Sequence, residues 1–179
     1  YQPTGIWEVV GLAGGDTRNY VQDKGKNLYR RTVYHFWKRM AAPPNMVAFN
    51  APSREYCAVS RERTNTPLQA LVLWNDVQYV EAARMLAQQV LLLDAPQENG
   101  AEHWRLTELF KTCTGRAPSE EEARFLNATL SSMRTKFETA PEDAASLLEY
   151  GEAVVDPSVD SSKLAAYTLV ANVILSLDE

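Results

Sequence analysis

Apolar positions change their rhythm near the middle of this chain. From Asp76 onward they return every three or four residues, the period of helices with one buried face. Tyr79, Val80, Ala83, Leu86, Ala87 and Val90 share such a face and predict a helix from Asp76 to about Leu93. Trp104, Leu106, Leu109 and Phe110 predict a second from about Glu102 to Cys113. A third runs from Ser119 to about Phe137, and Pro141 opens a shorter one ending before Gly151. The last segment, KLAAYTLVANVILSL, is apolar nearly all round, so as a helix it must be buried among others.

Before Asp76 the pattern is sparser. Residues 1–25, with GLAGGDTRNY, are too rich in Gly and turn formers for a regular element. In NLYRRTVYHFWKRM, the residues Leu28, Tyr29, Thr32, Val33, Phe36, Trp37 and Met40 fall on one side of a helical wheel. Arg30, Arg31, Tyr34, His35 and Lys38 fall on the other, which predicts a helix with a basic outer face. It ends at AAPPNM, where Pro drives the preceding residue out of the helical region. Residues 43–60 carry three prolines and read as a looped connection with at most one short strand.

Turn and cap chemistry sharpens the boundaries. Thr66 has the hydroxyl to cap a helix, Pro67 suits a first helical position that needs no N–H, and Gln69 completes a Thr-x-x-Gln capping box. Leu68, Leu71, Val72 and Trp74 make this short helix read as central to the core. Asp76 caps the next helix, and Ser119 with Glu122 forms another capping box. The expected fold is mainly α: an irregular domain of six or seven helices with a long N-terminal loop region and at most one or two short strands. It reads as one domain over residues 1–179, a fragment of a larger protein, with residues 94–101 and the charge shift near Asn65 as the places where it would divide.

Composition narrows the partners. The 179 residues, 45% hydrophobic, can bury a sizeable core. No apolar run reaches the roughly 20 residues of a membrane span. Ten Lys or Arg face five acids up to Asn65, and eight face eighteen beyond it, so a first part of +5 precedes a remainder of −10. The overall −5 disfavours nucleic acid. Cys57 and Cys113, 56 positions apart, form no metal-binding or haem-attachment motif and read as two small buried residues. No metal or cofactor is expected.

The order of motifs is that of a known family. LYRRTVYHFWKRMAAPPNMVAFNAPSREYCAVSRERTNTPLQALVLWND, followed by VEAAR and at the far end by AAYTLVANVILSLDE, closely resembles the planctomycete-type domain of unknown function 1553, the PSD family. The resemblance implies a module near the C-terminus of large secreted proteins, hence an extracytoplasmic setting. It also implies neighbouring domains, among them a cytochrome-c-like module in some members. It implies no reaction. Where the family commonly has Pro after the Asn-Asp, this chain has Val77.

Catalytic chemistry finds little footing, and no catalytic residue is assigned. His35 and His103 are the only histidines, and His35 lies on the expected basic face. Cys57 stands between Arg54 and Arg61, where positive charge lowers a thiol's pKa only if the groups meet. Arg61, Arg63 and Asn65 precede a helix start, and with Arg30, Arg31, Trp37 and Lys38 they form a candidate surface for an anion or an acidic glycan. The alternative is that Arg61 and Arg63 pair with Glu62, Asp76 or the acidic remainder and tie the loop to the helices. The expected function is a non-catalytic structural or interaction module. A module binding acidic polysaccharide, or part of a hydrolase completed by a neighbouring domain, are the alternatives.

Overall fold

The computed structural model describes residues 1–15, 18–96 and 100–177. Among these lie seven helices: α1 (Pro44–Ala48), α2 (Pro67–Asn75), α3 (Val77–Leu92), α4 (Ala101–Thr114), α5 (Glu120–Thr139), α6 (Pro141–Leu148) and α7 (Ser161–Leu175). The fold is mainly α, as the sequence predicts, and the described residues form no sheet, only an isolated antiparallel bridge between Lys38 and Ala41. The chain divides into two compact units, residues 1–72 and 73–179, with the division inside α2. The loop expected over 94–101 belongs to the second unit, and its residues 97–99 lie outside the described set, as do Asp16 and Thr17 of the irregular N-terminal stretch and Asp178 and Glu179.

The second unit is built around α7. Nine of that helix's fifteen residues are buried, and it packs against α3, α4, α5 and α6. Leu109 and Phe110 of α4, Leu126 and Leu130 of α5, and Ala83, Ala87 and Val90 of α3 complete the core. Tyr167 is fully buried, and burial pushes its phenol up to about 12. The helix ends follow the cap chemistry. Asp76 accepts from Gln78 N–H at 2.9 Å, and Asp160 accepts from Lys163 N–H at 2.8 Å. Ser119 and Glu122 close a reciprocal capping box, and Gly115 ends α4 in the left-handed conformation with φ 77°. Arg116 grips Glu122 through two bonds of 2.7 and 2.9 Å, holding that carboxyl down at about 2.

One feature of α3 runs against its charge pattern. Glu81, Arg84 and Gln88 are all buried and lie at i, i+3 and i+7, one stripe of the helix. All three reach the connection between α6 and α7. Arg84 Nη2 donates to the carbonyls of Tyr150 and Ala153 at 3.2 and 2.7 Å. Glu81 Oε1 accepts from Ala153 N–H at 2.6 Å, and Gln88 Oε1 accepts from Asp156 N–H at 3.0 Å. Glu81 and Arg84 stand 3.9 Å apart, so the two buried charges offset each other. Arg84 Nε and Nη1 meet no acceptor, a cost that the stripe's other bonds must outweigh. Gly151 sits against the Glu81 carboxylate with φ 88°, so a side chain there meets both that group and an unfavourable backbone angle.

The first unit departs from three expectations. No helix spans residues 27–40: single 3-10 turns occupy Gly25–Asn27 and Thr32–Tyr34. Six of the segment's fourteen residues are β-branched or aromatic and lose rotamer freedom in a helix, and neither turn has a side-chain cap. Its aromatic rings are instead used one at a time. Phe36 packs on Trp7 with ring centroids 5.1 Å apart, and Tyr20 meets Trp7 edge-on at 5.1 Å. Second, the connection expected over 43–60 contains the short helix α1, opened by Pro44 at a position that needs no N–H donor. Third, the apolar side chains of α2 are not central. Leu68 and Leu71 are each 59% exposed, and Gln69 is that helix's buried residue.

These contacts predict a steep sensitivity at the α6–α7 connection. Gly151→Ala is expected to lower the unfolding free energy by about 2–4 kcal/mol, from positive φ plus overpacking. Arg84→Leu, which leaves Glu81 buried without its partner, should cost about 3 kcal/mol. Urea unfolding followed by helical circular dichroism measures both, and a change under about 0.5 kcal/mol in either variant contradicts the role given to the stripe.

Candidate functional site

The segment SRERTNTPLQ joins two devices of different kind. Its second half is a hydrogen-bonded knot within the first unit. Gln69 Oε1 accepts from Thr66 N–H at 2.9 Å and Thr66 Oγ1 accepts from Gln69 N–H at 3.3 Å, a complete capping box at the start of α2. The Gln69 amide then donates to the carbonyl of Ala48 at 2.9 Å and to Thr64 Oγ1 at 2.8 Å, tying the segment to the end of α1. Asn50 joins the same hydroxyl at 2.7 Å from a left-handed backbone, φ 53°. Gln69 is thus both cap and cross-link. Pro67 occupies the first helical position, where its ring costs no hydrogen bond.

The first half of the segment points to solvent. Arg61, Arg63 and Asn65 are exposed, and neither guanidinium forms a hydrogen bond or ion pair with a described residue. Within the first unit, neither arginine pairs with Glu62. Arg30 is likewise exposed.

Other cations of this unit lie over aromatic rings. The Arg54 guanidinium sits 5.0 Å from the centre of the Trp37 ring, Arg31 lies 5.7 Å from that of Tyr34, and the Lys38 ammonium is 4.8 Å from that of Trp7. Arg39 pairs with Glu55 at 2.9 Å. Trp37, a member of the expected anion-binding surface, carries Arg54 over its face, while Arg61 and Arg63 belong to a separate exposed stretch. What the geometry brings together is a basic surface in which the rings hold cations in place. Exposed guanidinium forks suit carboxylate, sulfate or phosphate groups.

The nucleophile and base candidates lie elsewhere in character. Cys57 is exposed rather than buried, and Cys113 is half-buried; both thiols are free, and burial raises that of Cys113. His35, expected on a solvated face, is half-buried with Nε2 unmet, and its pKa is lowered by burial, then by the amino terminus and Arg54. Among the described residues no group of three or more His, Cys, Asp or Glu is placed to hold a metal ion. Among the described residues no helix is long and apolar enough to cross a membrane.

Sequence reasoning missed Arg54, whose ring partner is 17 positions away. The sign of a basic, aromatic-rich segment was legible, but its pairing was not.

A family model described as PSD1, protein of unknown function (DUF1553), matches residues 1–130. No curated protein and no solved structure matches the chain.

Two halves of the segment should respond oppositely to substitution. Gln69→Ala removes a cap and two cross-links and is expected to cost about 2 kcal/mol, whereas Arg61→Ala should stay within about 0.5 kcal/mol. Hydrogen exchange of residues 44–72 reads both, and an Arg61→Ala loss as large as that of Gln69→Ala contradicts this division. His35 adds a pH dependence. Its folded-state pKa lies below the ordinary 6.5, so its contribution is intact above pH 6.5 and is lost as pH falls through the lowered value. Exchange protection of the first unit should decline over that window, and His35→Phe should flatten the decline.

Proposed function

Because the chain belongs to the PSD1 family of proteins of unknown function (DUF1553), which supplies no reaction to work back from, we propose that it is a non-catalytic interaction module whose residues 1–72 complete their packing on a partner surface. One observation carries this reading. Among the described residues, nineteen buried apolar side chains lie in the second unit and only two, Trp7 and Ala41, in the first. Meanwhile Val33, Phe36, Met40, Val47, Tyr56 and Val59 of the first unit are each more than half exposed.

The magnitudes favour a missing partner. Covering one such side chain contributes about 1.5–3 kcal/mol, and a unit of about 70 residues has little stability to spare without such burial. A partner with an apolar centre and an acidic rim fits the unit's +5 charge and its exposed, unpaired Arg61 and Arg63. The neighbouring domains of a larger extracytoplasmic protein are the natural source of that surface, held close by the chain itself.

A second reading is favoured by the unpaired arginines alone: the same face binds an acidic polysaccharide. Glycans contribute anionic groups but little apolar cover, so the two readings differ in what they protect.

Hydrogen exchange separates them. In the chain by itself, residues 1–66 should exchange at least tenfold faster than α3 and α7. Placed beside its neighbouring domains, residues 29–40 and 56–59 should gain protection that persists in 0.5 M salt, while α3 and α7 stay unchanged. Protection by a carboxylated oligosaccharide alone, abolished by that salt, favours the glycan reading. Equal exchange with and without neighbours and glycan sinks both.

A further inference from the structure

The second unit holds a cavity of about 540 Å³ that none of the preceding roles uses. Its size falls in the range that encloses small organic ligands. Leu91 and Leu93, at the end of α3, form an apolar wall; Arg105 of α4 and Lys163 of α7 line it with positive charge; Asp94 and Asp160 also border it.

The bordering carboxylates do not pair directly with these cations. Asp160 spends a carboxylate oxygen on the backbone N–H of Lys163 as the cap of α7. Glu102 is paired with Arg134 of α5. Asp94 is not among the charges that act on Lys163. Neither the Arg105 guanidinium nor the Lys163 ammonium has a hydrogen-bond or ion-pair partner among the described residues, and Arg105 Nε is buried without an acceptor. Burial is the largest influence lowering the Lys163 pKa, followed by Arg105 and Arg134, with Glu102 and Asp160 opposing them to a smaller extent. Two like charges therefore share one concave, half-buried surface with no direct ion pair to either, although Asp160 borders it. Such an arrangement costs the fold, and an unmet buried donor beside it adds to the cost. A bound anion relieves both.

We propose that this cavity binds a small organic oxyanion, with its carboxylate, sulfate or phosphate group held between Arg105 and Lys163 and its body against Leu91 and Leu93. The planar fork of Arg105 sets the orientation of the anionic group, and the Lys163 ammonium supplies a second, adjustable donor. The site lies wholly within the second unit and is independent of the interaction reading for the first.

The test is a titration followed by backbone amide resonances, with glucuronate, glucose 6-sulfate, glucose 6-phosphate and uncharged glucose as probes. One or more of the charged sugars should saturate and shift residues 91–95 and 158–163, and glucose should not; which one binds most tightly identifies the anionic group. Arg105→Gln and Lys163→Gln should each weaken binding at least tenfold, while Arg61→Ala leaves it unchanged. Since either change removes a repulsion, the free variants should melt no lower than the parent chain, which separates lost binding from lost folding. The proposal is overturned if no charged sugar saturates, if the shifts fall outside those residues, or if both Gln variants bind as the parent does.

Discussion

Burial of α7 on every side is the constraint on which the second unit rests. A helix with no polar face has no stable place on a surface, so four other helices must be arranged around it. That requirement explains why α3 to α6 are amphipathic and why their apolar stripes converge on one core. It also sets a limit on polar groups. Tyr167 and Asn172 of α7 each bury a side-chain oxygen without a partner, a cost tolerated because the surrounding packing is extensive.

The connection that brings the chain to α7 is held by different means. Its backbone carbonyls and amides have no strand or helix to satisfy them, and the Glu81, Arg84 and Gln88 stripe supplies the missing partners. Side chains thus do for residues 150–156 what a ladder does within a sheet. The first unit uses the same economy on a smaller scale, with Gln69 and Thr64 standing in for a core. One unit is therefore organised by apolar volume and the other by individual polar bonds and ring contacts.

The difference decides what could be read from the sequence. Helices α3 and α5 were legible because period and caps agreed, with Asp76 and the Ser119–Glu122 box marking their starts, and α7 because it is apolar nearly all round; its cap Asp160 went unread, since residues 151–162 look like loop. Residues 27–40 misled because their apolar positions fit a helical wheel by spacing while their side chains disfavour a helix, and pairwise contacts such as Arg54 with Trp37 leave no periodic trace. The Glu81, Arg84 and Gln88 stripe was invisible for another reason. Charged residues three and four apart on a helix ordinarily mark its wet face, and only the tertiary position of residues 150–156 reverses that reading. Of the candidate surface, the basic character and the exposed Arg61 and Arg63 lie within reach of sequence. The placement of Trp37 under Arg54 does not, and neither does the convergence of Arg105 with Lys163 from separate helices.

The stripe on α3 also bears on the order of events in time. Its bonds to Tyr150, Ala153 and Asp156 span 66 to 72 residues of chain, so they close only after the intervening helices have collapsed together. Contacts that form after the rate-limiting step contribute little to how quickly a chain folds and much to how slowly it comes apart. A buried arginine whose contacts close on that late side of the barrier acts as a latch on lifetime, lengthening the residence of its unit in the native state beyond what equilibrium stability alone would give.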